Sequence, residues 1–183
     1  MFARKIKESK RRHEASRYFQ EQFQVIHRKL DLIDRFDEPT FTVMSDGTGQ
    51  IFIPSLSVFQ RLTPHSPPMG IVFLDGSFLT VKEIYRYDYA GENDAKPQIV
   101  QLAFSYHYQI PHRGFFFRYD FHPGIGNSAT HPLYHLHVGC WHEGDDKLPS
   151  LPRFQVPPVT LEGVLGLIVR DFLSPNTELE EER

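Results

Sequence analysis

The chain has 183 residues, 40% of them hydrophobic, with 16 Phe, 8 Tyr and one Trp, so it can bury a core and is not disordered along most of its length. No apolar run is long enough to span a bilayer, no apolar stretch follows the basic start to make a secretory signal, and the single cysteine, Cys140, excludes an internal disulfide. The net charge of −3 is uneven: residues 1–30 carry nine Lys or Arg against three Glu, whereas Pro175 to Arg183 carry four Glu and one Arg. These features predict a cytoplasmic protein with no membrane attachment, whose basic start either meets RNA, DNA or an acidic protein or forms a solvated helix face.

Residues 3–34 contain no Gly or Pro and predict one long helix ending before Pro39. Phe19, Phe23, Ile26, Leu30 and Ile33 recur at steps of four and three, a seam able to pack on the body or on another copy of the chain. A hairpin follows, with Phe41 to Met44 and Gln50 to Ile53 flanking Ser45-Asp46-Gly47-Thr48-Gly49. The cluster Thr63-Pro64-His65-Ser66-Pro67-Pro68 marks the expected boundary. It divides an N-terminal extension, 1–68, from a domain over 69–174 and an acidic, disordered tail, 175–183.

Beyond the boundary the pattern is a β-meander. Ile71 to Leu74 and Phe78 to Tyr87 flank Asp75-Gly76, read as a two-residue turn; Ala90 to Pro97 is a polar loop. Ile99 to Ile110, Phe115 to Phe121 and Leu133 to Val138 follow as strands, and Gly124 to Asn127 as a loop. Thr160 is a predicted N-cap for a helix through Leu161, Val164, Leu165, Ile168, Val169 and Phe172 to Leu173, with Gly163 and Gly166 allowing close approach to a sheet. The expected fold class is therefore α+β: an antiparallel meander covered by a C-terminal helix, with a long N-terminal helix.

Seven of the ten histidines fall between His107 and His142, a density that no apolar core requires. Strand parity puts Ser105, His107 and Gln109 on one face, Arg118 and Asp120 on one face, and His135 and His137 on one face. If these polar sides coincide, His107, Arg118, Asp120, His135 and His137 converge on one surface. Parity leaves the register between strands open.

Several chemistries suit such a surface. A metal-independent ribonuclease would use His135 and His137 as acid and base, Arg118 as phosphate clamp and Asp120 to orient Arg or His, with Tyr106 and Tyr108 stacking bases if exposed and His131 beside them. A metal site would use the His-x-His pair with Asp120 and His107 or His131, although no Cys or Glu stands at diagnostic spacing, and no cofactor is expected. Alternatively Arg118 and Asp120 form an internal ion pair, or the face docks a partner protein without catalysis. Cys140 beside His142 carries no nucleophile signature of its own.

The order Ser105-Tyr106-His107-Tyr108-Gln109, Phe117-Arg118-Tyr119-Asp120 and His135-Leu136-His137-Val138-Gly139 resembles the signature of the TumE family of prokaryotic toxin–antitoxin toxins. Phe73-Leu74-Asp75-Gly76-Ser77, leading to Val81-Lys82-Glu83, and the helix from Thr160 to Leu165 resemble that family's first hairpin and closing helix. The resemblance implies a growth-inhibiting toxin encoded beside a small helix-turn-helix antitoxin. It implies no particular reaction.

Overall fold

The computed structural model describes residues 2–44, 46, 48–54, 62–88, 98–123, 131–148 and 152–174, and in the first helix the side chains of His13 and of residues 16–27. The expected loops at 90–97 and 124–127 and the acidic tail lie outside the described residues, as does most of the basic start's side-chain detail.

Helix α1 spans Phe2–His27 and ends well before residue 34. A 3-10 turn, Leu30–Leu32, leads into strand β1, Ile33–Phe36, where a helix was expected. Pairing overrides propensity here: Ile33 lies opposite Phe73 and Phe36 opposite Ile71 on strand β4, Ile71–Phe73, satisfying backbone groups that a helix would otherwise satisfy. Of the predicted seam, Ile26 is buried in the core, Phe19 stacks on Phe41 at 4.9 Å, and Phe23 meets Phe36 edge-on at 5.1 Å. Ile33 belongs to the sheet instead.

Strands β2, Thr40–Val43, and β3, Thr48–Ile53, form the expected hairpin, with Asp46 Oδ1 accepting from the Thr48 amide at 2.8 Å. Gly49 lies within β3 rather than in the turn, and a Cβ there would overlap the Tyr85 ring. The next hairpin joins β4 to β5, Phe78–Asp88. Its loop holds Leu74, Asp75 and Gly76 rather than two residues, because Phe73 N donates to Ser77 O. Gly76 takes the left-handed position that such a turn requires (φ 78°), and Asp75 Oδ1 accepts from the Ser77 amide at 2.9 Å.

Strands β6, Gln98–Ile110, β7, Phe115–Phe121, β8, Tyr134–Cys140, and β9, Arg153–Gln155, complete one antiparallel sheet. Its order is β1-β4-β5-β6-β7-β8-β9, with β3 pairing farther along β5 and β2 outside β3. The four long runs expected to share a sheet do so; β1 and β9 were not expected.

Helix α2, Leu161–Ile168, starts at the expected N-cap, where Thr160 Oγ1 accepts from the Gly163 amide at 3.1 Å, and a π-helical turn carries it to Leu173. Leu161, Val164, Leu165 and Ile168 are buried against the apolar sheet face, and Phe172 meets the rings of Tyr108, Phe115 and Phe117. Gly163 and Gly166 are exposed rather than turned to the sheet, so close approach is not their role. No helix among the described residues is long and apolar enough to cross a membrane.

One carboxylate sits within this apolar layer. Glu83 is 1% exposed and accepts from Tyr106 Oη at 2.5 Å and from Tyr18 Oη of α1 at 2.8 Å, tying the helix to the sheet. Burial raises its pKa above the ordinary 4.5 despite these two donors. Ionising it therefore costs stability: its favourable contribution is complete below about pH 4.5 and declines as pH rises through the raised folded value. Glu83→Gln should flatten that part of the stability–pH profile, measured by urea unfolding between pH 4 and 8. Identical profiles for the two proteins would contradict this assignment.

Candidate functional site

The register across β6, β7 and β8 brings the polar sides together. His107 lies opposite Arg118, which lies opposite His137; Ser105 lies opposite Asp120, which lies opposite His135. Strand β5 extends these rows with Thr80 and Lys82, and β9 with Arg153 and Gln155. Two polar rows thus cross five strands on the face opposite α2.

Asp120 is their centre. Arg118 Nε donates to its Oδ2 at 2.7 Å; His137 Nε2 lies 3.3 Å and His135 Nε2 3.6 Å from the same oxygen. His122 Nε2 lies 3.9 Å from Oδ1, which is buried and makes no hydrogen bond. Burial alone would raise the Asp120 carboxyl, but hydrogen bonding from His137 and the Arg118 charge hold it well below the usual carboxylate range.

The imidazoles differ in access. His135 and His137 are only 1% and 4% exposed, which corrects the expectation of an open histidine surface. Burial lowers the pKa of His135 against the opposing effects of the Pro132 carbonyl and Asp120. Its Nδ1 lies 2.8 Å from Pro132 O; since a carbonyl only accepts, Nδ1 carries a proton and Nε2 is the nitrogen turned toward Asp120. His107 is equally buried, bonded to Gln109 at 3.2 Å and stacked on Phe116, and burial pushes its pKa down to about 4. It flanks Arg118 and is not a member of the Asp120 cluster. His131 sits edge-on to His135 at 4.4 Å between ring centres, with a buried Nε2 that makes no hydrogen bond.

The two expected stacking tyrosines are elsewhere. Tyr106 and Tyr108 are wholly buried on the opposite face, where their hydroxyls donate to Glu83 and to Ser77 at 2.9 Å. They are core residues, and parity had already put them opposite His107. Sequence reasoning missed Lys82, His122 and Arg153. His122 had a signal, standing two residues beyond Asp120, and Lys82 had the parity of β5. Arg153 lay in an unrecognised three-residue strand. Among the described residues, the side chains placed to offer metal-ligand atoms to a common point are Asp120, His135 and His137, whose atoms lie within 4.8 Å of one another.

A family model described as Toxin TumE matches residues 55–171, more than half of the chain. No curated protein and no solved structure matches. The chain belongs to the TumE toxin family, which bears out the resemblance carried by the Tyr106-to-Gly139 residues.

Proposed function

We propose, from membership of the TumE toxin family, that this chain is the toxin of a toxin–antitoxin pair and acts on RNA, with Arg118 gripping phosphate above the Asp120 cluster. A toxin family implies an antitoxin partner in general; the kind proposed here is a small helix-turn-helix protein.

The observation that carries the reading is the double placement of Arg118. Its Nε holds the buried Asp120 at 2.7 Å, yet its side chain is 38% exposed. One edge of the guanidinium is thereby fixed, and the partly exposed side chain can turn its outer N–H groups onto phosphate oxygens. Cleavage through RNA's own 2′-hydroxyl also needs a proton acceptor and a proton donor. His122, 26% exposed and 3.9 Å from Asp120, is the accessible imidazole of the cluster and serves in proton exchange; His135 and His137 support the site from beneath. Burial lowers the pKa of His122, the direction that favours the neutral form a base requires.

A second reading, a non-enzymatic module that docks a partner protein through the same sheet face, is favoured by the near-complete burial of His135 and His137. Incubating the purified chain with total RNA separates the two. The RNA reading expects degradation, reduced at least about tenfold in Arg118→Lys, which keeps the charge but loses the fork. Intact RNA, with antitoxin binding weakened by the same substitution, would establish the docking reading instead.

A further inference from the structure

We infer that Asp120, His135 and His137 bind one divalent transition-metal ion of the zinc class. The inference deepens the proposed function only in naming what the site holds, and it rests on the same cluster whether or not RNA is the substrate.

Geometry supports it first. A tetrahedral ion with bonds of about 2.0–2.1 Å sets its ligand atoms about 3.3 Å apart. His137 Nε2 and His135 Nε2 lie 3.3 and 3.6 Å from Asp120 Oδ2, and all three ligand atoms fall within 4.8 Å. The spacing follows from the sheet: alternate residues of β8 put both imidazoles on one face, and the register sets Asp120 directly opposite His135.

The tautomer supports it next. With the Nδ1 proton of His135 donated to the Pro132 carbonyl at 2.8 Å, its Nε2 is the nitrogen turned toward the Asp120 carboxylate, 3.6 Å from Oδ2. A ligating histidine commonly gives its second N–H to a backbone carbonyl in this way, which fixes the ring and raises its basicity. Two further buried atoms, Asp120 Oδ1 and His131 Nε2, make no hydrogen bond, although buried polar groups normally do. A bound ion or its water would satisfy them. Two imidazoles and one carboxylate suit zinc, whereas magnesium prefers six oxygen ligands. The competing arrangement is metal-free, with Arg118 paired to Asp120 and His137 hydrogen-bonded to the same carboxylate.

The test uses the purified full chain, stripped with chelator, exchanged into chelator-free buffer and titrated with Zn²⁺ or Mg²⁺ by calorimetry and thermal melting. One Zn²⁺ per chain is expected, with a Kd below about 1 µM and a melting shift of roughly 5–10 °C at hundredfold excess over Kd, and no response to Mg²⁺. Co²⁺ should give the intense visible absorption of a tetrahedral site, which tests the native chain without any substitution. His137→Asn should weaken Zn²⁺ binding at least about a hundredfold, while His142→Ala, at an exposed position, should not. The inference is overturned if the folded native chain shows neither heat nor shift with 100 µM Zn²⁺, or if folded His137→Asn binds as tightly as the native chain. RNA degradation is read separately: zinc binding without it leaves the site standing and removes the substrate, and degradation without zinc binding does the reverse.

Discussion

Replacing Asp120 with alanine is expected to destabilise the metal-free chain by about 3 kcal/mol, the lower part of the range for breaking a buried ion pair. Asp120 is 3% exposed, lies one residue before the end of β7, and faces Arg118 at 2.7 Å and His137 at 3.3 Å. Removing the carboxylate leaves the guanidinium without its anion and opens space between buried imidazoles. Arg118 is 38% exposed and can recover water along one edge, which moderates the loss. Asp120→Asn keeps the volume and one acceptor and should cost less. Urea unfolding in the presence of chelator reads both differences, and a change below about 1 kcal/mol for Asp120→Ala would show that Asp120 is not the electrostatic centre of this face.

Elements whose local pattern agrees with their tertiary setting were legible. β6 and β7 carry polar residues at alternate positions from Ser105 to Gln109 and at Arg118 and Asp120 and are joined by a short turn, and Thr160 announces α2 by a capping side chain that is indeed used. β1 was not legible, because Ile33-Asp34-Arg35-Phe36 follows a helical stretch with no breaker and becomes a strand only through its partner β4. β9 has three residues, too few for any period to show. The Asp75-Gly76 turn was placed correctly but sized wrongly, since its length depends on where Phe73 and Ser77 pair.

For the site, strand parity correctly assigned sides: His107, Arg118, Asp120, His135 and His137 share one face, with Tyr106 and Tyr108 on the other. What parity could not supply was depth. A polar face with this much imidazole reads as a solvated surface, yet Asp120, His135 and His137 are nearly sealed, leaving Arg118 and His122 as the members with substantial solvent access. Burial is a property of what lies above a strand, and no alternation within the strand encodes it.

The central claim is that the Asp120-centred face is where this toxin-family chain acts, and inducible expression of His137→Gln in a bacterial host tests it most directly. His137 is 4% exposed and 3.3 Å from Asp120, so the substitution keeps a polar side chain of similar reach but removes the imidazole. It should also cost about 1–3 kcal/mol of stability, so folding must be followed in the same experiment. Ile168→Val, in α2 on the opposite face, provides a control with a core loss of about 0.5–1.5 kcal/mol and no change to the site. The account predicts that the native chain and Ile168→Val inhibit colony formation alike, while His137→Gln, still melting cooperatively when purified, restores it by at least about a hundredfold. A folded His137→Gln chain that inhibits growth as strongly as the native one would contradict the claim.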